Sequence, residues 1–253
     1  MISKNQFLLS ASVCGWLVAG LLSSALASPP SAPRPQSESA LAATGAVTGQ
    51  ILFKGTRPKP RRILMNADPV CVSLHHGPVY YQDGQVNANG TLPNVFVYIQ
   101  LGLGNRHFQP PSTPVVLDQQ GCMYVPHVLG IMVGQPLKVV SHDPTTHNIH
   151  IMSKLNRPWN QSQPPGAPPF IKRFTRPEIM IPVQCNEHPW MHAYIGVTSN
   201  PFYAVTGATG RYTLHGLPPG HYTVAAWTAT FGTQREEVTL RAGQTVTLNF
   251  TFR

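Results

Sequence analysis

Short runs of alternating apolar and polar residues, cut every few positions by glycine or proline, leave this chain little to fold into except β-structure. Glu237-Val238-Thr239-Leu240 and Thr245-Val246-Thr247-Leu248-Asn249-Phe250 send every second side chain to one face, with Ala242-Gly243-Gln244 as the turn between them. Residues 210–214 and 221–227 flank Gly216-Leu217-Pro218-Pro219-Gly220 in the same manner. Earlier strands are expected over 46–53, 94–99, 115–117, 123–125, 128–133, 137–140, 146–151, 179–183 and 193–197. With 21 Gly, 26 Pro and no long amphipathic helix after residue 27, the fold class is all-β. The Pro- and Gln-rich stretch 156–170 reads as a long loop. Residues 63–78, which contain Pro69 and Pro78, do not read as one regular element.

The first 27 residues are set apart from the fold. Lys4, an apolar run over 7–22 and the small-residue site Ala25-Leu26-Ala27 make a secretory signal peptide, with the mature chain starting at Ser28. The apolar run is too short to argue for a spanning helix. Branched Val13 before Cys14, and the apolar run that continues past it, argue against lipid attachment there. The expected location is periplasmic or extracellular. Residues 28–43 are rich in Pro, Ser and Ala, and cannot bury enough surface to offset the entropy of ordering, so a disordered linker is expected. Gly102, Gly104, Pro110 and Pro111 mark the expected crossing between two domains.

Without Lys4, 17 basic residues stand against 9 acidic ones, a net charge of +8. No nucleic-acid-binding motif accompanies that charge. The basic residues are scattered apart from Arg57, Lys59, Arg61 and Arg62, and then Lys154, Arg157, Lys172, Arg173 and Arg176. Beyond plain solubility, the charge suits docking to an acidic redox partner.

The chemistry concentrates in Cys185-Asn186-Glu187-His188-Pro189-Trp190-Met191 and in Thr146-His147-Asn148-Ile149-His150. Thiolate and thioether suit Cu(I), imidazole suits both copper states, and a β scaffold resists geometric change. His147, Cys185, His188 and Met191 therefore form the ligand set of a blue-copper electron-transfer site. Each residue alone has a plainer meaning: a lone Cys as half a disulfide, a lone Met as core, a lone His at the surface. The shared spacing on one loop is what makes the set specific. Three cysteines follow residue 27, and if Cys185 is held by a metal, Cys71 and Cys122 remain as a disulfide pair. Spacing alone does not bring their Cα atoms within bonding distance.

These two segments resemble the cupredoxins, whose short ligand loops are of the Cys-x-x-His-Pro-aromatic-Met type, and 133–139 resembles the strand-turn-strand before the first ligand. The resemblance, which covers 110–199, implies a Greek-key β-sandwich with a type 1 copper held by His147, Cys185, His188 and axial Met191. It places Asn148 as a tie between the two ligand-bearing segments and His188 as the partly exposed ligand, rimmed by Pro189 and Trp190. Gly45-Ala46-Val47-Thr48-Gly49-Gln50-Ile51 and the run from Thr209 to Tyr222 resemble the carboxypeptidase regulatory-like, transthyretin-type β-sandwich. Together they imply a second small sandwich, 44–109 and 200–253, split around the first.

The leading function is an exported one-electron carrier. A copper-delivery protein would use the same ligands. An enzyme would need an open zinc position, or a second metal at His127, His142, His150 or His192; no paired carboxylates or nucleophile-base set surround Glu187.

Overall fold

A computed structural model describes residues 44–253, so the signal peptide expected over 1–27 and the linker expected over 28–43 lie outside the described residues. Nearly all of the regular secondary structure described is β-strand. Numbered in chain order, one five-stranded sheet runs β10 (Trp159–Gln163), β9 (His147–Ile151), β12 (Glu178–Gln184), β13 (His192–Thr198), β7 (Val128–Met132). A four-stranded sheet runs β11 (Phe170–Arg173), β8 (Pro136–Ser141), β5 (Val115–Gln120), β6 (Met123–Val125). Both put alternate side chains into one core, where Leu117, Leu137, Val139, Ile149, Ile151, Val183 and Ile195 have no exposed surface. The β13–β7 and β5–β8 pairs are parallel, and the remaining pairs in these two sheets are antiparallel.

The chain on either side of this sandwich builds another. β1 (Gly45–Phe53) pairs with β15 (Arg211–Leu217), β18 (Thr245–Thr247) and β19 (Phe250–Phe252). β4 (Phe96–Leu101) lies between β14 (Tyr203–Val205) and β16 (Gly220–Thr228), and β17 (Gly232–Leu240) forms the outer edge. Val47, Ile51, Val97, Leu214, Tyr222, Val224 and Phe250 fill the space between these sheets. The alternating run at 245–250 is broken in two because the backbone at Leu248 crosses over Gly49. A Cβ there would lie 1.7 Å from the Leu248 carbonyl oxygen, so only glycine admits the crossing.

A third, smaller core joins the two sandwiches through Phe96, Tyr98, Val128, Met180 and Ala225. Gly130 and Gly196 face each other across β7 and β13. Their missing side chains seat aromatic rings against the sheet: a Cβ on Gly196 would come 2.5 Å from Phe96, and one on Gly130 2.3 Å from Tyr203.

Two sequence expectations are corrected. The loop expected over 156–170 contains β10 and the start of β11. Both are edge strands with mostly exposed side chains, so they need few apolar residues and show little alternation. Residues 62–81, grouped by sequence with the flanking sandwich, pack on the other core. They form β2 (Arg62–Ile63), the one-turn helix α1 (Pro69–Ser73) and β3 (Val79–Tyr80), and they bury Ile63, Met65 and Cys71 against the first sandwich. Asp68 caps α1 by accepting from Val70 N at 2.8 Å. No helix among the described residues is long and apolar enough to cross a membrane.

Candidate metal centre

The centre is built where β9 begins and where β12 turns into β13. β12 pairs with β9 at Gln184 and His150, so the two strand ends lie side by side. The connecting loop closes on itself, with Cys185 N donating to Met191 O at 3.1 Å and Met191 N to His188 O at 2.9 Å. The Tyr124 hydroxyl lies against the carbonyls of Asn148 and Gln184, one from each strand, and burial raises its pKa far above the usual range. These contacts fix the ends of both strands before any ion binds.

His147, Cys185 and His188 come together with their donor atoms within 4.8 Å of one another. Nδ1 of His147 lies 3.0 Å from Nδ1 of His188, and Cys185 Sγ lies 3.8 Å from the latter. Asn148 N donates to Cys185 Sγ at 3.3 Å. His147 and Met191 are fully buried, and Cys185 and His188 are each 4% exposed.

The outer nitrogens are also held. His147 Nε2 donates to Asp143 at 2.8 Å, and His188 Nε2 to Asp68 at 2.9 Å. Asp143 is itself fixed by the backbone amides of Gly121 and Cys122, each at 2.7 Å. Burial alone would raise both carboxyls, but hydrogen bonds outweigh it and hold Asp143 and Asp68 below the usual carboxylate range. With both Nε2 protons donated, the neutral rings direct two lone pairs at each other. Something positive between them, a proton or a cation, would remove that opposition. Burial would lower His147, but Asp143 and Cys185 prevail and raise it to about 9. A metal ion held by His147, Cys185 and His188 would supply that positive charge. Donors held about 2.0–2.3 Å from one ion lie no more than about 4.6 Å apart, which the 3.0 Å and 3.8 Å separations satisfy. A thiolate, an imidazole and a buried thioether on one loop, with a second imidazole from β9, are the donor types copper takes in both oxidation states.

Asn148 lies between the two segments: its Oδ1 accepts from Asn186 N at 3.2 Å, and its Nδ2 donates to Asn160 at 2.7 Å. His188 departs from the expectation of a partly exposed ligand. Asp68 and the Cys71 sulfur, 3.6 Å from Nε2, cover it. Trp190 is no rim residue either: it is buried, with Nε1 donating to Cys122 O at 3.0 Å. Cys71 and Cys122 form a disulfide with Cα atoms 5.6 Å apart, which fastens the covering segment beside the centre. Cys185 is the free thiol among the described residues.

Sequence reasoning missed Asp68 and Asp143. Asp143 stands four residues before His147, within the Asp143-Pro144 turn, and Asp68 stands before Pro69 at a helix start, a capping signal. Neither position says what a carboxylate meets across the fold. The other histidines lie elsewhere. His142 is exposed beside Asp118 at 2.8 Å, His150 meets Asn186 at 3.2 Å, and His127 and His192 converge on Asp83. Glu187 is exposed.

The model of the carboxypeptidase regulatory-like domain matches residues 186–253. No curated protein sequence matches the chain. Similar solved structures include a copper-containing nitrite reductase from Thermus scotoductus, 22% identical over 39% of this chain and 25% of that one, with a TM-score of 0.32. The chain thus spans 25% of the length of that enzyme. An amicyanin variant in its Cu(I) form is 17% identical over 40% of this chain and 98% of that one, with a TM-score of 0.30. A purple cupredoxin from Nitrosopumilus maritimus is 22% identical over 30% of this chain and 82% of that one, with a TM-score of 0.26. Cupredoxins and the carboxypeptidase regulatory-like domain, the two families the sequence resembles, are what the chain is similar to.

Proposed function

We propose that this is an exported copper protein that carries one electron at a time, with His147, Cys185, His188 and Met191 as the ligands of a type 1 centre and Asn148 as the tie beside it. The observation that carries the reading is the pair of inward-facing Nδ1 atoms, 3.0 Å apart, beside a free, buried cysteine sulfur, with both outer nitrogens committed to carboxylates. Copper there would supply a one-electron couple. The chain's own residues do the rest: Asp143 and Asp68 orient the rings, Asn148 N stabilises the thiolate, and the buried walls exclude water and hold the geometry in both oxidation states.

The covered His188 favours a resident ion over a cargo. A segment fastened by a disulfide lies across the centre, so release would require it to move. The partner proposed is a redox protein with an acidic face, complementary to the net positive charge. The test is to mix oxidised and reduced copper-loaded protein and follow electron exchange by nuclear magnetic resonance, with a copper chelator present in a parallel sample. Exchange between molecules, with copper retained, is expected. Ready loss to the chelator without exchange would replace the carrier by a delivery protein.

A further inference from the structure

A second set of donors lies apart from the first. Asp83, in the turn that follows β3, offers each carboxylate oxygen to a different imidazole: Oδ1 is 2.8 Å from His127 Nε2, and Oδ2 is 2.6 Å from His192 Nε2. The three donor atoms lie within 4.8 Å of one another. His192 follows Met191 but opens β13, one residue past the ligand loop. Met191 enters the core and His192 turns towards Asp83.

The ring orientations decide what this cluster suits. Nδ1 of His127 lies 3.1 Å from the carbonyl of His192, and Nδ1 of His192 lies 3.0 Å from the carbonyl of Trp190. A carbonyl only accepts, so each Nδ1 carries a proton and donates it. In the neutral rings both Nε2 atoms then present lone pairs to a carboxylate, an arrangement of acceptors facing acceptors. Two additional protons would resolve the conflict by setting two imidazolium charges on one carboxylate, with the Arg61 guanidinium 4.6 Å over the Tyr81 ring, which itself lies 5.9 Å from the His192 ring. One divalent cation resolves it with no added proton. A carbonyl on the far nitrogen is also what fixes the tautomer of a metal-binding histidine.

We infer that Asp83, His127 and His192 form a second metal site for a divalent first-row transition ion, Zn²⁺ or Cu²⁺, with at least one coordination position left open. Two imidazoles and a carboxylate without a thiolate suit such ions rather than Mg²⁺ or Ca²⁺. Three protein donors leave room for water or a small anion. An entry path exists: Asp83 and His192 keep 17% and 19% of their side chains exposed. Both line a cavity of about 220 Å³ shared with Tyr81, Gln184, Pro189 and Tyr194.

The probe is Zn²⁺ alone, titrated calorimetrically into metal-free purified protein. Asp83→Ala and His127→Ala should each remove one equivalent of Zn²⁺, weakening its binding by more than about 100-fold, the upper end of what losing an outer-shell partner costs. Cys185→Ser should leave that equivalent in place, which separates this site from the copper centre, and so should His142→Ala. Zn²⁺ bound in unchanged number and affinity by Asp83→Ala would overturn the site. Should a variant not fold, judged by circular dichroism, the unmutated protein decides. On adding Zn²⁺, long-range ¹H–¹⁵N spectra should move the Nε2 signals of His127 and His192 while both Nδ1 protons stay. Nε2 signals unchanged in excess Zn²⁺ would equally overturn it.

Discussion

Asp68 Oδ2 lies 2.9 Å from His188 Nε2, although 120 residues separate the two in sequence. A carboxylate on the outer nitrogen makes the ring a stronger donor, and stronger donation favours Cu(II) over Cu(I). Asp68→Asn keeps an acceptor but removes the charge. The reduction potential of the copper-loaded protein should rise by about 60 mV, the equivalent of a tenfold loss in Cu(II) affinity relative to Cu(I). Voltammetry of the two proteins side by side checks it, and an unchanged or lower potential would mean that Asp68 acts only as a cover.

The disulfide holds that cover down. Cys71 and Cys122 are 51 residues apart, and closing a loop of this length in the unfolded chain is worth about 4 kcal/mol in the chain-entropy view. Replacing both by Ala should lower the free energy of unfolding by up to about that amount, measured in urea at fixed pH. It should also speed removal of copper by a chelator, because the segment carrying Asp68 is no longer fastened at Cys71.

Glu178 ties the 153–156 segment together through its carboxylate. Its carboxylate accepts from the Ser153 hydroxyl, from Lys154 N at 2.7 Å, from Leu155 N at 3.1 Å and from Asn156 Nδ2 at 3.1 Å. Burial by itself would push the group up, but these hydrogen bonds outweigh it and bring it from 4.5 down to about 2. The folded value lies below the unfolded one, so the stabilisation is complete above the ordinary 4.5 and is lost as pH falls towards 2. Glu178→Gln should be less stable than the parent at pH 7. It should also lose much of the parent's decline in stability across that acid window, as read from urea unfolding at a series of pH values.

What the sequence discloses depends on how local the cause is. Most strands of the two sandwiches are legible because alternation is a nearest-neighbour signal, and Cys185, His188 and Met191 are legible because they share one short loop. His147 is legible because its segment is itself an alternating strand with a histidine at the start. Where the cause is distant, the signal fades. Asp68 and Asp83 become partners of histidines only after 62–81 folds onto the first sandwich, and nothing within that segment shows where it will pack. Burial of His188 depends on the same event. β10 and β11 are hidden for a different reason: as edge strands they bury little, so Trp159-Asn160-Gln161-Ser162-Gln163 carries no apolar period to read.

In the proposed centre the sulfur of Cys185 and the Nδ1 atoms of His147 and His188 would hold one copper ion. The most direct measurement is the visible absorption and electron paramagnetic resonance spectrum of the protein loaded with one equivalent of Cu(II), beside the same spectra of Cys185→Ser. An intense colour with a narrowed copper hyperfine splitting, both lost in the variant, is the predicted result. A pale, ordinary Cu(II) spectrum that Cys185→Ser leaves unchanged would contradict it.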